Sequence, residues 1–246
     1  MPHAVSPSAT PDMRQERALM RQGHALVAGV DEAGRGAWAG SVVAAAVILP
    51  RNAMRLAVLH GVRDSKLLTP HRRTALFDEI YQAAWAVGVG MASHAEIDNL
   101  GIVPATRQAM QRAIELLDIT PQALVIDAVK LDVPLPQRVM FHADTLCLSV
   151  AAASIIAKVT RDRLMTELDA QYPGYGFAQH KGYGTRQHQR ALAELGPSAI
   201  HRMTFEPLKA IDPHLQPFSQ GAKGANLRVT MLIVTLQTQF HTINNL

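Results

Sequence analysis

Apolar runs and segments of helical periodicity alternate along the chain between residues 25 and 196. Short runs rich in Val, Ile, Leu and Ala predict β-strands, whereas apolar positions that recur every three or four residues predict amphipathic helices. The predicted strands cover 25–30, 41–49, 85–92 and 123–126. The predicted helices cover 70–84, 104–118, 148–171 and 185–196. Because the two kinds of segment alternate, the pattern predicts an α/β fold with helices packed on a largely central sheet.

Local signals at the ends of these segments support the assignment. Thr69-Pro70 supplies a hydroxyl cap and a proline in the first turn of a helix. Pro121 follows the second predicted helix, which a proline could not continue, and Gly196-Pro197 follows the last one. The run 41–49 is apolar throughout, which is typical of a strand buried on both faces.

The two ends of the chain differ from this central region. Residues 1–21 carry several prolines and no continuous apolar stretch, which predicts a flexible N-terminal arm. Residues 22–216 are predicted to form one domain, since they contain no internal repeat and no convincing linker. Residues 217–246 are predicted to be a C-terminal extension of unknown role. Its β-prone segment, 229–236, could be an added strand, an extension without order, or an artefact of where the reading frame ends.

Composition and charge narrow the class of protein only slightly. The 246 residues are 48% hydrophobic, as in an ordinary soluble protein, and 24 Lys and Arg against 20 Asp and Glu give a net charge of +4. This mild excess permits a polyanionic partner but does not require one. Cys147 is the one cysteine and is expected to be a small buried residue, so no internal disulfide forms. We expect a cytoplasmic monomer without a membrane segment or a secretory signal.

Four acidic residues occupy positions where chemistry explains them better than structure does. Asp31 and Glu32 end the first predicted strand, Asp127 ends the fourth, and Asp144 shortly precedes the long helix. The carboxyl ends of strands are where ligands collect in α/β sheets. Crowded carboxylates repel one another unless a cation neutralises them, and hard oxygen ligands suit Mg²⁺ or Mn²⁺. The pattern predicts a site for divalent metal ions, of which a pair can cleave a phosphodiester.

Simpler interpretations of the same acids stay open at this point. An aspartate at a strand end is often a turn residue, and Asp144 could cap the helix that follows it. Neighbouring side chains on a regular strand point to opposite faces. Asp31 and Glu32 can therefore share a metal site only if the strand breaks or bends between or after them, and Gly34 and Gly36 favour such a break.

Five sequence blocks, in order and with matching spacing, resemble the signatures of the ribonuclease HII family. They are VAGVDEAGRG at 27–36, DSKLL at 64–68, VID at 125–127, AAASIIAKV at 151–159 and HKGYGT at 180–185, followed by His201-Arg202 and Phe205. One block could arise by chance, whereas five in order are very specific. The resemblance covers roughly residues 22–212.

The resemblance implies a ribonuclease H-like fold, with a central mixed sheet flanked by helices, and makes 22–216 a catalytic domain. It implies an endonuclease that hydrolyses the RNA strand of RNA–DNA hybrids and cuts at ribonucleotides embedded in duplex DNA. The products would carry 3′-hydroxyl and 5′-phosphate ends, and two Mn²⁺ or Mg²⁺ ions would take part.

The same resemblance assigns roles to individual residues. Asp31, Glu32, Asp127 and Asp144 become the catalytic, metal-binding set. The backbone of Gly34-Arg35-Gly36 would read the 2′-hydroxyl of a ribonucleotide, Tyr183 would stack near the sugar of the next deoxynucleotide, and Lys66 would lie near a phosphate. These roles agree with general chemistry. Glycine lets a backbone approach a sugar closely, and the 2′-hydroxyl is the group that distinguishes RNA from DNA. An aromatic ring is a stacking surface that tolerates any sequence. Further basic residues could track phosphates or simply be solubilising surface charge: Lys181, Arg186, Arg190 and Arg202.

The chain departs from the family pattern at four positions. Ala37 and Ser41 stand where family members usually have proline, and Ala128 and Ala143 stand where they commonly have glycine. The two alanines matter if those positions need a positive φ, which alanine disfavours. All four acids are retained, so the loop geometry is more in question than the chemistry.

Two other functions remain as alternatives. One is another carboxylate-dependent nuclease of the same broad fold, such as a junction resolvase or an integrase-like enzyme. The other is a nucleic-acid-binding protein whose altered loops no longer hold metal. The sequence leaves open the physiological metal, the balance between long hybrids and single ribonucleotides, and the protein partners.

Overall fold

The computed structural model describes residues 10–210. Its strands are β1 (Val27–Ala33), β2 (Val42–Ile48), β3 (Ala86–Ala92), β4 (Ala123–Asp127) and β5 (Gln137–Met140). Its helices are α1 (Arg14–Arg21), α2 (Ala53–Ala57), α3 (Pro70–Ala83), α4 (His94–Leu100), α5 (Ile102–Glu115), α6 (Ala143–Leu146), α7 (Leu148–Gln171), α8 (Phe177–His180) and α9 (Arg186–Leu195). Two 3₁₀ turns lie at Ser65–Leu67 and Leu208–Ala210. The extension predicted for 217–246 lies outside the described residues, as do residues 1–9 of the predicted arm.

The strands form one mixed sheet in the order β3-β2-β1-β4-β5. β1 pairs antiparallel with β2 and parallel with β4, and β4 pairs parallel with β5. Every residue of β2 is buried, as its continuous apolar run predicts. The four predicted strands and the four predicted helices are all present, with ends that differ by a few residues. The predicted α/β fold with a central mixed sheet flanked by helices is confirmed.

Glycines in the strands allow two helices to pack closely on this sheet. A Cβ at Gly29 of β1 would overlap Ser149 of α7, and Cβ atoms at Gly88 and Gly90 of β3 would overlap the backbone of α5. The strands therefore approach these helices more closely than any side chain would permit.

The N-terminal segment is more ordered than its sequence indicates. Residues 14–21 of the predicted flexible arm form helix α1, and Leu19 packs in a cluster with Val27, Val125 and Cys147. Cys147 is fully buried and unpaired, as predicted, and burial raises the pKa of its thiol to about 12. The arm is helical because Met13 and Leu19 bury apolar surface that its polar composition conceals.

The described residues divide into two compact units, and no linker in the sequence marks the division. The first unit contains 10–33, 43–91 and 107–159, and the second contains 34–42, 92–106 and 160–210. The sheet lies in the first unit apart from Val42 and Ala92, which belong to the second. Within residues 10–210, no helix is both long enough and apolar enough to span a bilayer.

Candidate functional site

Asp31 and Glu32 lie within β1, which continues through both residues. They pair with Ala45 and Ala44 of β2, and the strand ends after Ala33. Gly34, the next residue, has a φ of +94°, a left-handed conformation that ends the strand. The predicted break therefore lies after the two acids and not between them. The Asp31 Oδ1 atom accepts a hydrogen bond of 2.8 Å from the Glu32 N–H, and Asp31 is buried.

Asp127 reaches the same end of the sheet because β4 runs parallel to β1. Val30 pairs with Ile126, so Asp31 and Asp127 take equivalent places on neighbouring strands. The Asp127 Oδ1 atom accepts a hydrogen bond of 2.9 Å from the backbone N–H of Ala143, which begins α6. Asp127 thus anchors the turn that carries the fourth acid.

Asp144 is buried inside α6, whose first turn contains it. It does not cap the long helix α7, which begins at Leu148 after the intervening Cys147. The Asp144 Oδ2 atom lies 3.8 Å from Nζ of Lys66. This ion pair places Lys66 beside the acids.

A fifth carboxylate, that of Asp64, lies near the four acids and was not predicted from the sequence. It caps the 3₁₀ turn Ser65–Leu67, because its Oδ1 accepts a hydrogen bond of 2.9 Å from the Lys66 N–H. The same oxygen lies 4.0 Å from Lys66 Nζ. The only signal for Asp64 was its place in the block DSKLL, two residues before the lysine.

The charge of each of these groups changes the pKa values of its neighbours. Burial raises the pKa of Asp31 well above its ordinary value, and the negative charges of Glu32, Asp127 and Asp144 raise it further. Burial also raises the pKa of Asp144 to about 6, with Asp64 adding to the effect and Lys66 opposing it. Removal from water alone would lower the pKa of Lys66, but the surrounding carboxylates outweigh this and raise it. The carboxyl end of the sheet therefore holds more carboxylates than the single ammonium group of Lys66 balances.

The chemistry of these donors fits a hard divalent cation. Carboxylate oxygens are the ligands that Mg²⁺ and Mn²⁺ prefer, and a cation would relieve the repulsion that raises the pKa of Asp31. The carboxylates are, however, too far apart to bind an ion together as they stand: within residues 10–210, no three His, Cys, Asp or Glu side chains form a complete ion site. The donor set fits, and its members would have to close around an ion.

The Gly34-Arg35-Gly36 loop begins the second unit and contains two different kinds of glycine. Gly34 needs to be glycine because of its φ and because a Cβ there would overlap the Arg161 guanidinium. Gly36 is exposed, has no positive φ, and a Cβ on it would meet no atom within 4 Å. The fold of the second unit therefore explains Gly34 but not Gly36.

Two fully buried arginines bind carbonyl groups of this loop and of the residues that follow it. Arg161 donates hydrogen bonds to the carbonyl oxygens of Ala39 and Ser41, and also to that of Lys181. Arg202 donates to the carbonyl oxygens of Gly40 and Arg35, both at 2.9 Å. Burial lowers the pKa of Arg202 to about 9, and the charge of Arg161 adds to this.

This burial corrects one possibility raised from the sequence. Arg202 cannot belong to an exposed face that tracks phosphates, because its side chain is fully buried and bound to backbone carbonyls. Arg186 and Arg190 of α9 are exposed, so their suggested role stays a prediction. Arg161 was not predicted from the sequence, although its place among the buried apolar positions Ala157, Leu164 and Met165 of α7 was a usable signal.

Tyr183 also lies in the second unit and is half-buried. Its N–H donates a hydrogen bond of 3.0 Å to the carbonyl of His180, and the Arg161 Cζ atom lies 5.3 Å from the centre of its ring. Arg161 therefore contacts the Tyr183 ring and also binds the loop that follows Gly36. The second unit thus contains Tyr183 and the glycine loop, whereas the acids and Lys66 belong to the first.

Comparison with known proteins identifies relatives over most of the chain. The family profile described as Ribonuclease HII matches residues 28–207. A ribonuclease HII of Citrifermentans bemidjiense is 53% identical over 208 residues, which cover 84% of this chain and 88% of that protein. A ribonuclease HII of Dehalococcoides mccartyi is 50% identical over 212 residues, which cover 86% of this chain and 98% of that protein.

Solved structures support the same relationship. The crystal structure of ribonuclease H2 from Pyrococcus horikoshii is 30% identical, with a TM-score of 0.64, and the match covers 75% of this chain and 96% of that one. The profile match, the two bacterial relatives and this structure all indicate the same family. The chain belongs to the ribonuclease HII family, and it is a ribonuclease H, an endonuclease that acts on the RNA strand of RNA–DNA hybrids.

Proposed function

We propose that this ribonuclease H cuts on the 5′ side of single ribonucleotides embedded in duplex DNA, and also within longer hybrids. The products carry 3′-hydroxyl and 5′-phosphate ends. Asp31, Glu32, Asp127 and Asp144 hold two divalent ions, Mn²⁺ or Mg²⁺. The single buried cysteine agrees with action in the reducing cytoplasm, where we propose that the chain is a monomer.

The observation that carries this proposal is Gly36. Neither the backbone conformation nor the packing of the second unit calls for glycine there, yet its backbone is exposed and unobstructed. Any side chain would cover part of that backbone. A sugar that must be recognised through its 2′-hydroxyl needs such close access, because this hydroxyl alone distinguishes a ribonucleotide from a deoxynucleotide.

The acid cluster supports the chemical part of the proposal. Family members depend on divalent metal ions, which, when bound, activate a water and stabilise the leaving oxygen of a phosphodiester. Asp127 contributes twice, because one carboxylate oxygen also fixes the turn that carries Asp144. Lys66 is exposed next to these acids, so its ammonium group can turn to a substrate phosphate and offset negative charge there.

Tyr183 supports the preference for a junction between RNA and DNA. Its half-buried ring offers a stacking surface to a sugar that lacks the 2′-hydroxyl. Replacement of Tyr183 by Ala should lower cleavage at a single ribonucleotide more than cleavage of a long hybrid. Loss of one stacking contact reduces the ratio of the two rates by roughly ten- to hundredfold. The measurement is that ratio for wild type and variant, in the same metal and salt.

Two further variants sharpen this experiment. Tyr183→Phe retains the ring and should keep the wild-type ratio. Gly36→Ala should slow cleavage of both substrates by roughly tenfold while leaving the melting temperature unchanged, because the added methyl group meets only open space in the protein. An unchanged ratio for Tyr183→Ala would refute the role of Tyr183, and wild-type rates for Gly36→Ala would refute the role of the loop.

A further inference from the structure

Three buried histidines lie beneath the loop that carries Tyr183, and the chemistry described above uses none of them. The exposed fractions of His180, His188 and His201 are 8%, 0% and 2%. All three belong to the second unit. His180 and His188 stack with ring centres 4.4 Å apart and planes inclined by 13°. The Nε2 atoms of His188 and His201 are 2.9 Å apart.

The hydrogen bonds of His201 determine which of its ring nitrogens carries the proton. The backbone N–H of Ser198 donates to His201 Nδ1 at 2.8 Å. The Ser198 carbonyl oxygen lies farther away, 3.3 Å from the same nitrogen, and a proton on Nδ1 would face the amide hydrogen at the shorter distance, so Nδ1 accepts. A neutral His201 ring is therefore protonated at Nε2. That N–H points to Nε2 of His188 and donates to it, so the proton of His188 lies on Nδ1.

The His188 Nδ1–H in turn donates to the carbonyl oxygen of Tyr183, at 3.1 Å. A directed series of hydrogen bonds thus runs from the Ser198 amide through His201 and His188 to the Tyr183 carbonyl. His180 follows the same logic, because the Gly182 N–H donates to its Nδ1 at 3.2 Å and its Nε2–H donates to Tyr175 O at 2.7 Å. The backbone is therefore held on both sides of Tyr183: the Gly182 N–H before it donates to His180, and its own carbonyl accepts from His188. Each of these imidazoles has a fixed tautomer.

An added proton would break this series. A second proton on His188 or His201 would set two N–H groups against each other across the 2.9 Å contact, or against the Ser198 amide. Burial lowers the pKa of His188 to about 4 and that of His201 to about 3, and the charge of a neighbouring histidine opposes protonation of each. Both rings are therefore neutral at pH 6 and above.

We propose that His188 and His201 are positioning residues that fix the backbone of Tyr183, and thereby direct its ring to the sugar beyond the cleavage site. This inference rests on the proposed role of Tyr183 at the RNA–DNA junction. His188 provides the side-chain contact to the Tyr183 carbonyl, which also accepts a hydrogen bond of 2.8 Å from the Thr185 N–H, and His201 fixes the tautomer of His188 that makes this contact possible.

Two substitutions of His188 separate donor geometry from simple filling of space. The side-chain amide nitrogen of Asn occupies the place of Nδ1, whereas that of Gln occupies the place of Nε2. His188→Asn can therefore still donate to the Tyr183 carbonyl, and His188→Gln cannot. We expect His188→Asn to keep the ratio of single-ribonucleotide to long-hybrid cleavage, and His188→Gln to lower it by roughly tenfold, as Tyr183→Ala does.

The outcomes distinguish this inference from the function on which it rests. If Tyr183→Ala lowers the ratio but His188→Gln does not, or if Asn and Gln lower it equally, the positioning role is wrong and the proposed function stands. If Tyr183→Ala leaves the ratio unchanged, the proposed junction reading fails instead.

A measurement without catalysis tests the same inference on the whole chain. Nitrogen-15 NMR of the wild-type imidazoles at pH 6 should show His188 protonated at Nδ1 and His201 at Nε2. The amide signal of Gly184, which follows the Tyr183 carbonyl, should move in His188→Gln and stay in His188→Asn. The opposite tautomers, or charged rings at that pH, would overturn the proposal even if a variant failed to fold.

Discussion

Ala128 adopts a left-handed backbone, with a φ of +54°, directly after Asp127. His142, with a φ of +58°, precedes α6 and lies two residues before Asp144. A residue with a Cβ loses about 1–2 kcal/mol in this conformation relative to the right-handed region. Both turns that present an acid from β4 and α6 therefore contain local backbone strain.

Replacement of Ala128 by Gly should relieve one of these strains. Glycine takes a positive φ without penalty, although it also gains freedom in the unfolded chain, so we expect a net gain of about 0.5–1 kcal/mol in the free energy of unfolding. Denaturant unfolding measures this change. Ala75→Gly, in helix α3 and with similar partial exposure, is the matched control and should lose about 1 kcal/mol. A loss of similar size in Ala128→Gly would contradict the account.

The four departures from the family pattern show how far sequence reasoning reaches at single residues. The concern about a positive φ is confirmed for Ala128, whereas at the second site His142 has the positive φ and Ala143 begins α6. Ala37 donates a hydrogen bond to the Gly34 carbonyl, which a proline could not do. Nothing in the structure explains Ser41. The backbone-binding roles of Arg161 and Arg202 were not predicted, because carbonyl partners can belong to any residue type and the sequence does not identify them.

At the scale of elements, the N-terminal segment that contains α1 supplies hydrogen-bond acceptors for the start of the long helix α7. The first N–H groups of a helix lack partners within it. The Leu148 N–H of α7 donates to the carbonyl of Asp12, and the Ser149 N–H and hydroxyl both donate to Glu16 of α1. These hydrogen bonds from α7 to Asp12 and Glu16 explain why α1 is ordered. The sequence could not show it, because the partners are more than a hundred residues apart.

Glu16 gives this helix pair a pH dependence whose sign follows from its burial. Burial raises the pKa of Glu16 above its ordinary value, although the Ser149 hydrogen bonds lower it in part. The folded chain therefore binds this proton more tightly than the unfolded chain, and the contribution of Glu16 to stability falls as pH rises above the ordinary glutamate range. Glu16→Gln keeps an acceptor for Ser149 but carries no charge.

We therefore expect the stability of Glu16→Gln relative to wild type to increase between pH 4 and pH 7, by at most about 1.4 kcal/mol per pH unit. Urea unfolding at several pH values measures this difference. Gln171→Asn, at an exposed position of α7 and without a titratable group, should show a flat difference over the same range. A flat or falling difference for Glu16→Gln would mean that its carboxyl is not held as described.

At the scale of the whole molecule, the order of strands and helices could be predicted, but not the division into units. One boundary falls at Gly34, directly after β1, but the other four fall inside β2, β3, α5 and α7 rather than at loops, so neither composition nor glycine and proline mark those four. Each unit also contains three separate stretches of chain. The sheet order β3-β2-β1-β4-β5 depends on such long-range pairing as well. Asp31 and Asp127 were predictable as neighbours only because strands of α/β sheets present ligands at their carboxyl ends.

The four crowded acids should lower the stability of the whole chain when no metal is bound, and should raise it when a metal ion is bound. Asp31→Asn removes one buried charge from a cluster whose members repel one another, so in chelator it should raise the free energy of unfolding by about 0.5–2 kcal/mol. Mn²⁺ or Mg²⁺ should stabilise wild type by about 2.7 kcal/mol at a concentration a hundredfold above Kd, and the variant far less. Asp31→Asn should abolish the cleavage of hybrids.

Thermal melts in chelator and in metal measure the stabilities of three proteins: wild type, Asp31→Asn and the control Asp78→Asn, which changes an exposed residue of α3. If Asp31→Asn were less stable in chelator and still gained the full stabilisation from metal, Asp31 would be a structural residue and not a ligand.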